Sequence, residues 1–319
     1  MRQKFKFHII AAALFLLMVP YKSVAAPTSH HPIRDNASKH LQKKLDQRVK
    51  ALHLTRAVQQ KRLAVALVDV TDPSSPHVAQ INGDEMMYAA SLPKIAVLLT
   101  AFELIKQGKL PLNDETRTTM TRMIRYSSNK DATAMIRMVG KDYINTVMAS
   151  PKYRLYDERY NGGLWVGKEY ASGTAFHRDP LHHLSHGATA IQVARFYYML
   201  ETGRLVSPES SRQMKNMLSR PGINHKFVKG LSDTDAKIFR KSGSWRTYHA
   251  DSAIIEHDGR SYIAVALAND SHGGEWMKQL IRKMDHIILA VEPATKLAKA
   301  ADATILARVS TSPDPAASL

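Results

Sequence analysis

The sequence predicts an α/β protein of the α+β type: one antiparallel sheet flanked by terminal helices, with an inserted all-helical lobe. Strand patterns occur towards both ends of the chain, helical periodicity dominates its middle, and amphipathic segments lie outside the strands. With 319 residues, 44% of them hydrophobic, the chain can bury a core large enough for two joined lobes.

The amino-terminal part predicts a helix followed by a β-hairpin. Across residues 36–55 the apolar positions recur at spacings of four, four and three, which is typical of an amphipathic helix: Leu41, Leu45, Val49 and Leu52. Residues 62–70 form an almost continuous apolar run typical of a strand, and residues 77–81 follow after a turn as its partner. The helix should therefore lie on the sheet.

The remaining chain predicts the helical lobe and the return to the sheet. Helical periodicity dominates from residue 91 to about 218. A final helix at 275–291 follows three strand patterns, at 238–245, 250–257 and 261–268. We place the sheet lobe at 36–90 and 235–294, the helical lobe at 91–234, and a loose tail at 295–319. The cleft between the lobes is the expected place for a site.

Residues 1–26 have the layout of a secretory signal peptide. Arg2, Lys4 and Lys6 make its start positively charged, and residues 9–19 form an apolar run. Residues 23–26 are typical of the small-residue cleavage site. The alternative is an uncleaved amino-terminal anchor. We expect a periplasmic or secreted protein with no stable membrane span after signal cleavage.

Composition excludes several classes of chemistry and partner. The chain has no cysteine, which excludes disulfides, iron–sulfur clusters and thiol nucleophiles. Its net charge is +17, but the basic residues are spread along the chain and no nucleic-acid fold signature occurs. We therefore expect no nucleic-acid partner. We also expect no cofactor and a monomer, and the positive charge favours anionic ligands.

Three short motifs fall at the edges of the expected cleft. The first is Ser91-Leu92-Pro93-Lys94, directly before an apolar helix. Residues three apart on a helix share a face, so the Ser91 hydroxyl and the Lys94 amine can meet. The amine can act as a base only if burial or a neighbouring cation lowers its pKa. The alternative is an N-cap serine beside a solvated lysine, and residues 127–130 match the same spacing by chance.

The other two motifs are Ser127-Ser128-Asn129 and Lys241-Ser242-Gly243, the latter followed by Ser244. In the second motif a hydroxyl can pass a proton to a leaving group, and an amide can hold a substrate carbonyl. Its alternative is ordinary helix capping. In the third a strand edge can present a lysine and a hydroxyl to a substrate carboxylate, and the glycine allows close backbone approach. Its alternative is a solvated strand face.

In this order the motifs resemble the S-x-x-K, S-x-N and K-[ST]-G set of class A serine β-lactamases and penicillin-binding proteins. The resemblance spans roughly residues 40–292 and implies a β-lactamase/transpeptidase-like fold and an acyl-enzyme mechanism. It implies that Ser91 is acylated, that Lys94 activates it, and that Ser127 passes a proton to the leaving nitrogen. Asn129 would contact the acyl amide, and Lys241 with Ser242 would hold the substrate carboxylate.

The resemblance also implies an oxyanion hole made by the backbone N–H groups of Ser91 and Ser244.

The sequence departs from the class A pattern in two places. Ser127 follows Ser91 by only 36 positions, which is short for a class A enzyme. The E-x-x-L-N loop that carries the deacylating glutamate is missing, and the nearest candidates are Asp157, Glu158, Glu169 and His177. Glu158 is closest to the expected position and is our candidate for the deacylating base.

Two further features remain open in the sequence. His182 and His186 are four apart, as metal ligands on a helix can be, and His183 lies between them. They lie between Pro180 and Gly187 without a matching acid, so we expect no metal. The loop at residues 161–170 either binds substrate through Trp165 and Tyr170 or anchors itself to the core by these two aromatics.

Three functions follow from these residues. The leading hypothesis is an exported serine hydrolase that forms an acyl-enzyme on Ser91 and hydrolyses β-lactam amide bonds. The second is a D,D-peptidase acting on peptidoglycan stem peptides, and the third is a non-catalytic binder of β-lactams or muropeptides. These functions differ in what happens to the acyl ester on Ser91.

Overall fold

The structure is a computed structural model that describes residues 33–171 and 173–290. The predicted signal peptide, residues 1–26, and the predicted tail, residues 295–319, lie outside these described residues. The first half of the chain contains, in order, α1 (Lys39–Ala51), α2 (Thr55–Gln59), β1 (Leu63–Asp69), β2 (His77–Ile81), β3 (Met87–Tyr88), α3 (Lys94–Lys106), α4 (Asp114–Arg125), α5 (Asn129–Val139) and α6 (Lys141–Ala149).

The second half begins with short strands and ends with a long hairpin and a helix. In order these are β4 (Tyr156–Asp157), β5 (Gly162–Gly163), β6 (Trp165–Val166), β7 (His186–Ala188), α7 (Ala190–Glu201), α8 (Pro208–Leu218), α9 (Phe227–Gly230), β8 (Lys237–Trp245), β9 (Tyr248–His257), β10 (Arg260–Asn269) and α10 (Gly273–Leu289).

One five-stranded sheet joins the two ends of the described chain. Its order is β2-β1-β10-β9-β8, and every neighbouring pair is antiparallel. Helices α1 and α10 contact one face, and α7 contacts the other, next to the remaining helices. The predicted fold class, an antiparallel sheet with terminal helices and an inserted helical lobe, is confirmed.

Strand β1 shows why its sequence is an almost unbroken apolar run. All seven residues are buried, because both faces of the sheet are covered. Since side chains alternate between faces, Leu63, Val65 and Leu67 join the core under α1 and α10. Ala64, Ala66 and Val68 join the core of the helical lobe.

Helices α1 and α3 place their apolar residues differently. Helix α1 buries one stripe, Leu41, Leu45 and Val49, and the Ser38 hydroxyl caps its start by accepting a hydrogen bond from the Leu41 N–H at 3.2 Å. Helix α3 is buried all round from Lys94 to Glu103, so it runs through the centre of the helical lobe. The first residue of this buried helix is a lysine, which makes its environment unusual.

The segment between α6 and α7 differs from the predicted helical pattern. Residues 150–189 contribute four short strands, β4 to β7, to two small sheets, β3-β7-β6 and β4-β5, in place of continuous helix. Gly163 explains part of the difference, because its φ is +155° and an added Cβ would lie 2.0 Å from the Leu155 carbonyl oxygen. Such short strands, held by tertiary contacts, leave almost no periodic signal.

Within residues 33–171 and 173–290 no helix has the length and apolar character needed to cross a membrane.

Candidate functional site

Ser91 and Lys94 lie at the entrance to helix α3, where the tight turn through Pro93 leads into its first turn. Ser91 is partly exposed, whereas the Lys94 side chain is completely buried. The residue before the serine, Ala90, has a φ of +49°, a left-handed conformation uncommon for alanine. The turn therefore holds Ser91 in a constrained position, three residues before a buried lysine.

The Lys94 amine has two close acceptors. Nζ donates to the Ser127 carbonyl oxygen at 2.6 Å and to Asn129 Oδ1 at 2.8 Å, and it lies 3.4 Å from Ser127 Oγ. A neutral amine has two N–H groups, and these two acceptors can take both of them. Its lone pair is then free to accept a proton.

Burial lowers the pKa of Lys94 from 10.5 to about 7, and the nearby Asp131 carboxylate opposes this shift. Among the described residues, no carboxylate forms a hydrogen bond or ion pair with Lys94. The partner that would keep a buried lysine fully charged is therefore missing. Near neutral pH this amine can exchange protons, as a catalytic base must.

The two neighbouring serines at the start of α5 have different roles in the structure. Ser128 is the N-cap, and its hydroxyl accepts the Asp131 backbone N–H at 3.2 Å. Ser127 has a φ of +54°, and its hydroxyl accepts a hydrogen bond from Lys241 Nζ at 2.8 Å. Ser127 Oγ is therefore within reach of both lysines, and its own proton is free to point elsewhere.

Strand β8 brings the third motif to the same point. Lys241 is buried, and Nζ also donates to the Ser242 carbonyl oxygen at 2.7 Å. Burial, followed by the nearby positive charge of Lys94, lowers the pKa of Lys241 well below its usual range. An anionic ligand would reverse this shift by supplying the missing counter-charge.

Gly243 lets strand β8 lie directly against the nucleophile turn. A Cβ at this position would come within 2.2 Å of the Ala89 carbonyl oxygen and 2.7 Å of the Ser91 backbone nitrogen. Ser242 is buried, while Ser244 is exposed, next to this contact. The predicted residues of all three motifs are thus brought together, apart from the capping Ser128.

A buried charge network supports this part of the strand. Arg240 Nε donates to Asp251 Oδ1 at 2.7 Å, and both side chains are almost fully buried. Lys226 Nζ donates to the Gly243 carbonyl oxygen at 2.5 Å and to Ser244 Oγ at 2.8 Å. Burial lowers the pKa of Lys226 to about 8. Lys226 could not be identified from the sequence, because it lies outside every motif, directly before α9.

The candidate deacylating groups do not join the cluster. Glu158 is exposed in a 3₁₀ turn and lines a different cavity, together with Trp165 and His177. Asp157 binds Arg159 at 2.7 Å. Glu169 forms ion pairs with Arg137 at 2.8 Å and Lys141 at 3.0 Å, which lower its pKa to about 2.

The histidines considered above as metal ligands are also dispersed. His186 is buried and its Nε2 lies 3.0 Å from the Lys168 carbonyl oxygen, whereas His182 Nε2 lies 2.9 Å from Asn161 Oδ1. Across the described ranges, the side chains close enough to share a metal ion are Asp235, His257 and Asp258. That group lies around the start of β8 and the end of β9, away from the three motifs.

A cavity of about 1000 Å³ opens beside the cluster. Its lining includes Asn129, Tyr170 and His186, together with three further aromatic side chains: Tyr88, Trp245 and Tyr248. Trp245 is 48% exposed and lies parallel to Tyr248, with ring centroids 6.5 Å apart. Lys168 and Arg178 add positive charge to the wall, and Glu169, which also lines it, is paired with Arg137 and Lys141. The cavity therefore suits an anionic ligand that also carries apolar or ring groups.

The fold and the site together identify the class of protein. The β-lactamase enzyme family profile matches residues 44–119 and 115–291, which is most of the chain. The chain therefore belongs to the β-lactamase enzyme family, as the three motifs predict. No curated protein sequence matches it.

Solved structures agree on the fold. A β-lactamase from Sphaerobacter thermophilus has a TM-score of 0.60 at 18% identity, covering 76% of this chain and 95% of that one. PBP-A has a TM-score of 0.60 at 17% identity, covering 80% and 98%. A mutant of PBP-A, similar to this chain to the same extent, is described as an acyl-enzyme complex with penicillin G. At these identities the likeness establishes the shared fold alone.

The aromatic wall, formed by Tyr88, Trp245 and Tyr248, is the other part of the site that was not predicted from the sequence. Tyr88 is in a two-residue strand, and Tyr248 starts β9 about 160 residues later. The centroid of the Tyr88 ring lies 5.4 Å from that of Tyr248 and 5.3 Å from that of Trp245. The exposed Trp245, directly after the third motif, was the one available local signal.

Proposed function

We propose that the protein is an exported serine hydrolase that forms an acyl-enzyme on Ser91 and opens β-lactam amide bonds. The observation that carries the proposal is the contact of both buried lysines, Lys94 and Lys241, with one hydroxyl, that of Ser127. Export rests on the signal-like residues 1–26. Family membership supports serine hydrolase chemistry.

The proton route of acylation follows from these contacts. Ser91 Oγ attacks the lactam carbonyl carbon while neutral Lys94 accepts its proton, so an O–C bond forms. The C–N bond then breaks, and the nitrogen takes the proton of Ser127. Lys94, 3.4 Å away, returns its proton to Ser127 Oγ. The net result is transfer of one proton from Ser91 to the leaving nitrogen.

The remaining residues bind the substrate and stabilise the oxyanion that forms during acylation. Lys241, protonated once an anion is present, pairs with the substrate carboxylate beside Ser242. Asn129 reaches the cavity and contacts the acyl amide. The backbone N–H groups of Ser91 and Ser244 flank the close approach at Gly243, where an oxyanion would be held.

A D,D-peptidase that acts on peptidoglycan stem peptides, or a β-lactam binder, is the second candidate. The specific observation in its favour is the placement of the acids, since Glu158 lines another cavity and Glu169 is neutralised by two cations. Without a free carboxylate beside Lys94, hydrolysis of the acyl-enzyme should be slow. The lifetime of the ester separates the two candidates.

The test is to mix the purified protein with penicillin G and record the mass of the intact chain over time. We expect an increase equal to one penicillin, absent in Ser91→Ala and unaffected by Ser74→Ala, an exposed serine in the turn before β2. An adduct that persists in Ser91→Ala contradicts the assignment. Rapid return to the free mass supports the β-lactamase, and a lasting adduct supports the peptidase or binder.

A further inference from the structure

Tyr170 covers the buried amine at the centre of the site. Lys94 Nζ lies 4.5 Å from the centre of the Tyr170 ring. The phenol hydroxyl donates to the carbonyl oxygen of Ala90, the residue before the nucleophile, at 3.2 Å. The ring also packs against His186, with centroids 4.3 Å apart. Tyr170 is therefore fixed at three points, two of which adjoin Ser91.

The neighbouring carboxylate is already paired. Glu169 precedes Tyr170 in the chain and lines the same cavity, but its carboxylate forms ion pairs with Arg137 and Lys141. Asp131, the acid that acts on Lys94 through space, is paired with Arg122 at 3.1 Å. The position beside the Lys94 amine is thus filled by an aromatic ring, and the nearby acids have their own cations.

We propose that Tyr170 shields the Lys94 amine and the Ser91 ester from water, and thereby sets the lifetime of the acyl-enzyme. The part of this inference that concerns the lifetime of the Ser91 ester rests on the proposed function, because that function supplies the ester. The shielding itself is a property of the free protein. It makes Tyr170 a positioning residue, because it acts through the solvation of Lys94.

The chemistry shows why such a shield matters. In hydrolysis a water oxygen bonds to the ester carbon, the bond from that carbon to Ser91 Oγ breaks, and the water proton ends on Ser91 Oγ by way of a base. Lys94 is the base within reach, and the ring lies against its amine. Removing the ring would open a path for water to both groups.

The ring acts on Lys94 in two opposing ways. A ring face attracts an ammonium group and so raises the lysine pKa, whereas the exclusion of water lowers it. Burial as a whole lowers the pKa of Lys94 to about 7, and the Tyr170 ring is part of what buries the amine. A smaller side chain should therefore raise the pKa of Lys94 towards 10.5.

The first test measures this pKa without any substrate. Lysine side chains are labelled with ¹³C at Cε and titrated by NMR, with Lys94→Met to assign the signal. We expect the Lys94 pKa to rise by at least one unit in Tyr170→Ala and to change little in Tyr170→Phe, which keeps the ring. The same midpoint in wild type and Tyr170→Ala overturns the shield.

Tyr160→Ala is the matched control. Tyr160 also lies in this loop region and also has a cation over its ring, Arg34 at 4.1 Å, but it is 42% exposed and does not contact Lys94. Its removal should leave the Lys94 pKa unchanged. If Tyr170→Ala does not fold by circular dichroism, Tyr170→Leu, which leaves part of the space open, should give a smaller rise, and no rise contradicts the proposal.

The second test follows the decay of a preformed penicillin adduct by intact mass. We expect the adduct to decay at least tenfold faster in Tyr170→Ala than in wild type, Tyr170→Phe and Tyr160→Ala when decay is followed at pH 9 to 10, where a large part of Lys94 stays neutral even with a raised pKa. Equal decay in all four overturns the role of Tyr170 in adduct lifetime. If no adduct forms in any of them, the proposed function fails, and the NMR titration still decides whether Tyr170 shields Lys94.

Discussion

Replacing Gly243 by alanine is the sharpest perturbation of the site that the structure offers. The added Cβ would lie 2.2 Å from the Ala89 carbonyl oxygen, 2.7 Å from the Ser91 nitrogen and 2.9 Å from the Leu92 nitrogen. All three atoms belong to the backbone, so no side-chain rotation can relieve the overlap. Ordinary contact begins near 3.4 Å, so strand β8 and the nucleophile turn must separate by about 1 Å.

The expected effect on the reaction is large because the moved atoms hold the nucleophile. A displacement of about 1 Å costs roughly 100-fold in rate, equivalent to about 2.7 kcal/mol of activation free energy. The same overlap should destabilise the fold by about 1–3 kcal/mol, or a few degrees in Tm for a domain of this size. The rate constant of acylation by penicillin G and the Tm measure the two effects separately.

Gly274→Ala is the control for this substitution. Gly274 lies in the first turn of α10, and an added Cβ there meets the His249 ring at no less than 3.6 Å. Because alanine favours helix over glycine by up to about 1 kcal/mol, this variant should be unchanged or slightly more stable. A Gly243→Ala protein that acylates at the wild-type rate would refute the close approach of β8 to Ser91.

Three further outcomes follow from the buried charges. The acylation rate should rise about tenfold per pH unit up to about pH 7 and then level off, since neutral Lys94 accepts the Ser91 proton, and a flat profile from pH 5 to 9 contradicts this role. Because the folded state loses this proton at lower pH than the unfolded chain, wild-type stability should increase from pH 7 to 9 by about 1–3 kcal/mol relative to Lys94→Met, measured by urea unfolding. Asp251→Asn should lower the free energy of unfolding by about 3–5 kcal/mol, because it leaves Arg240 buried without its counter-charge. Asp233→Asn, at the exposed pair with Arg282, should change it by less than about 1 kcal/mol. Similar losses in the two variants would argue against the buried pair.

The sequence predicted the parts of the fold whose residues carry a local pattern. Helix α1, the hairpin of β1 and β2, strands β8 to β10 and helix α10 fall close to their expected positions, because each buries a repeating apolar set. The short strands between α6 and α7 were not predicted, because their few residues form strands only through contacts with distant segments.

The same division holds for the site. The identities of Ser91, Lys94, Ser127, Asn129 and Lys241 could be proposed from motif order, because spacing along a helix or strand fixes which side chains share a face. The sequence could not decide the protonation state of Lys94 and Lys241. Their low pKa values arise from burial among segments more than 30 residues apart along the chain.

Tyr170 shows most clearly what only the tertiary structure decided. In the sequence it was one of two loop aromatics with two open roles, and Glu158 was the residue expected near the ester. The fold carries Glu158 to another cavity and turns Glu169 towards two cations. It lays the Tyr170 ring on the amine of Lys94. Local sequence sets which groups are present, but desolvation and proximity depend on how distant segments pack, and these set the protonation and the access of water at Ser91.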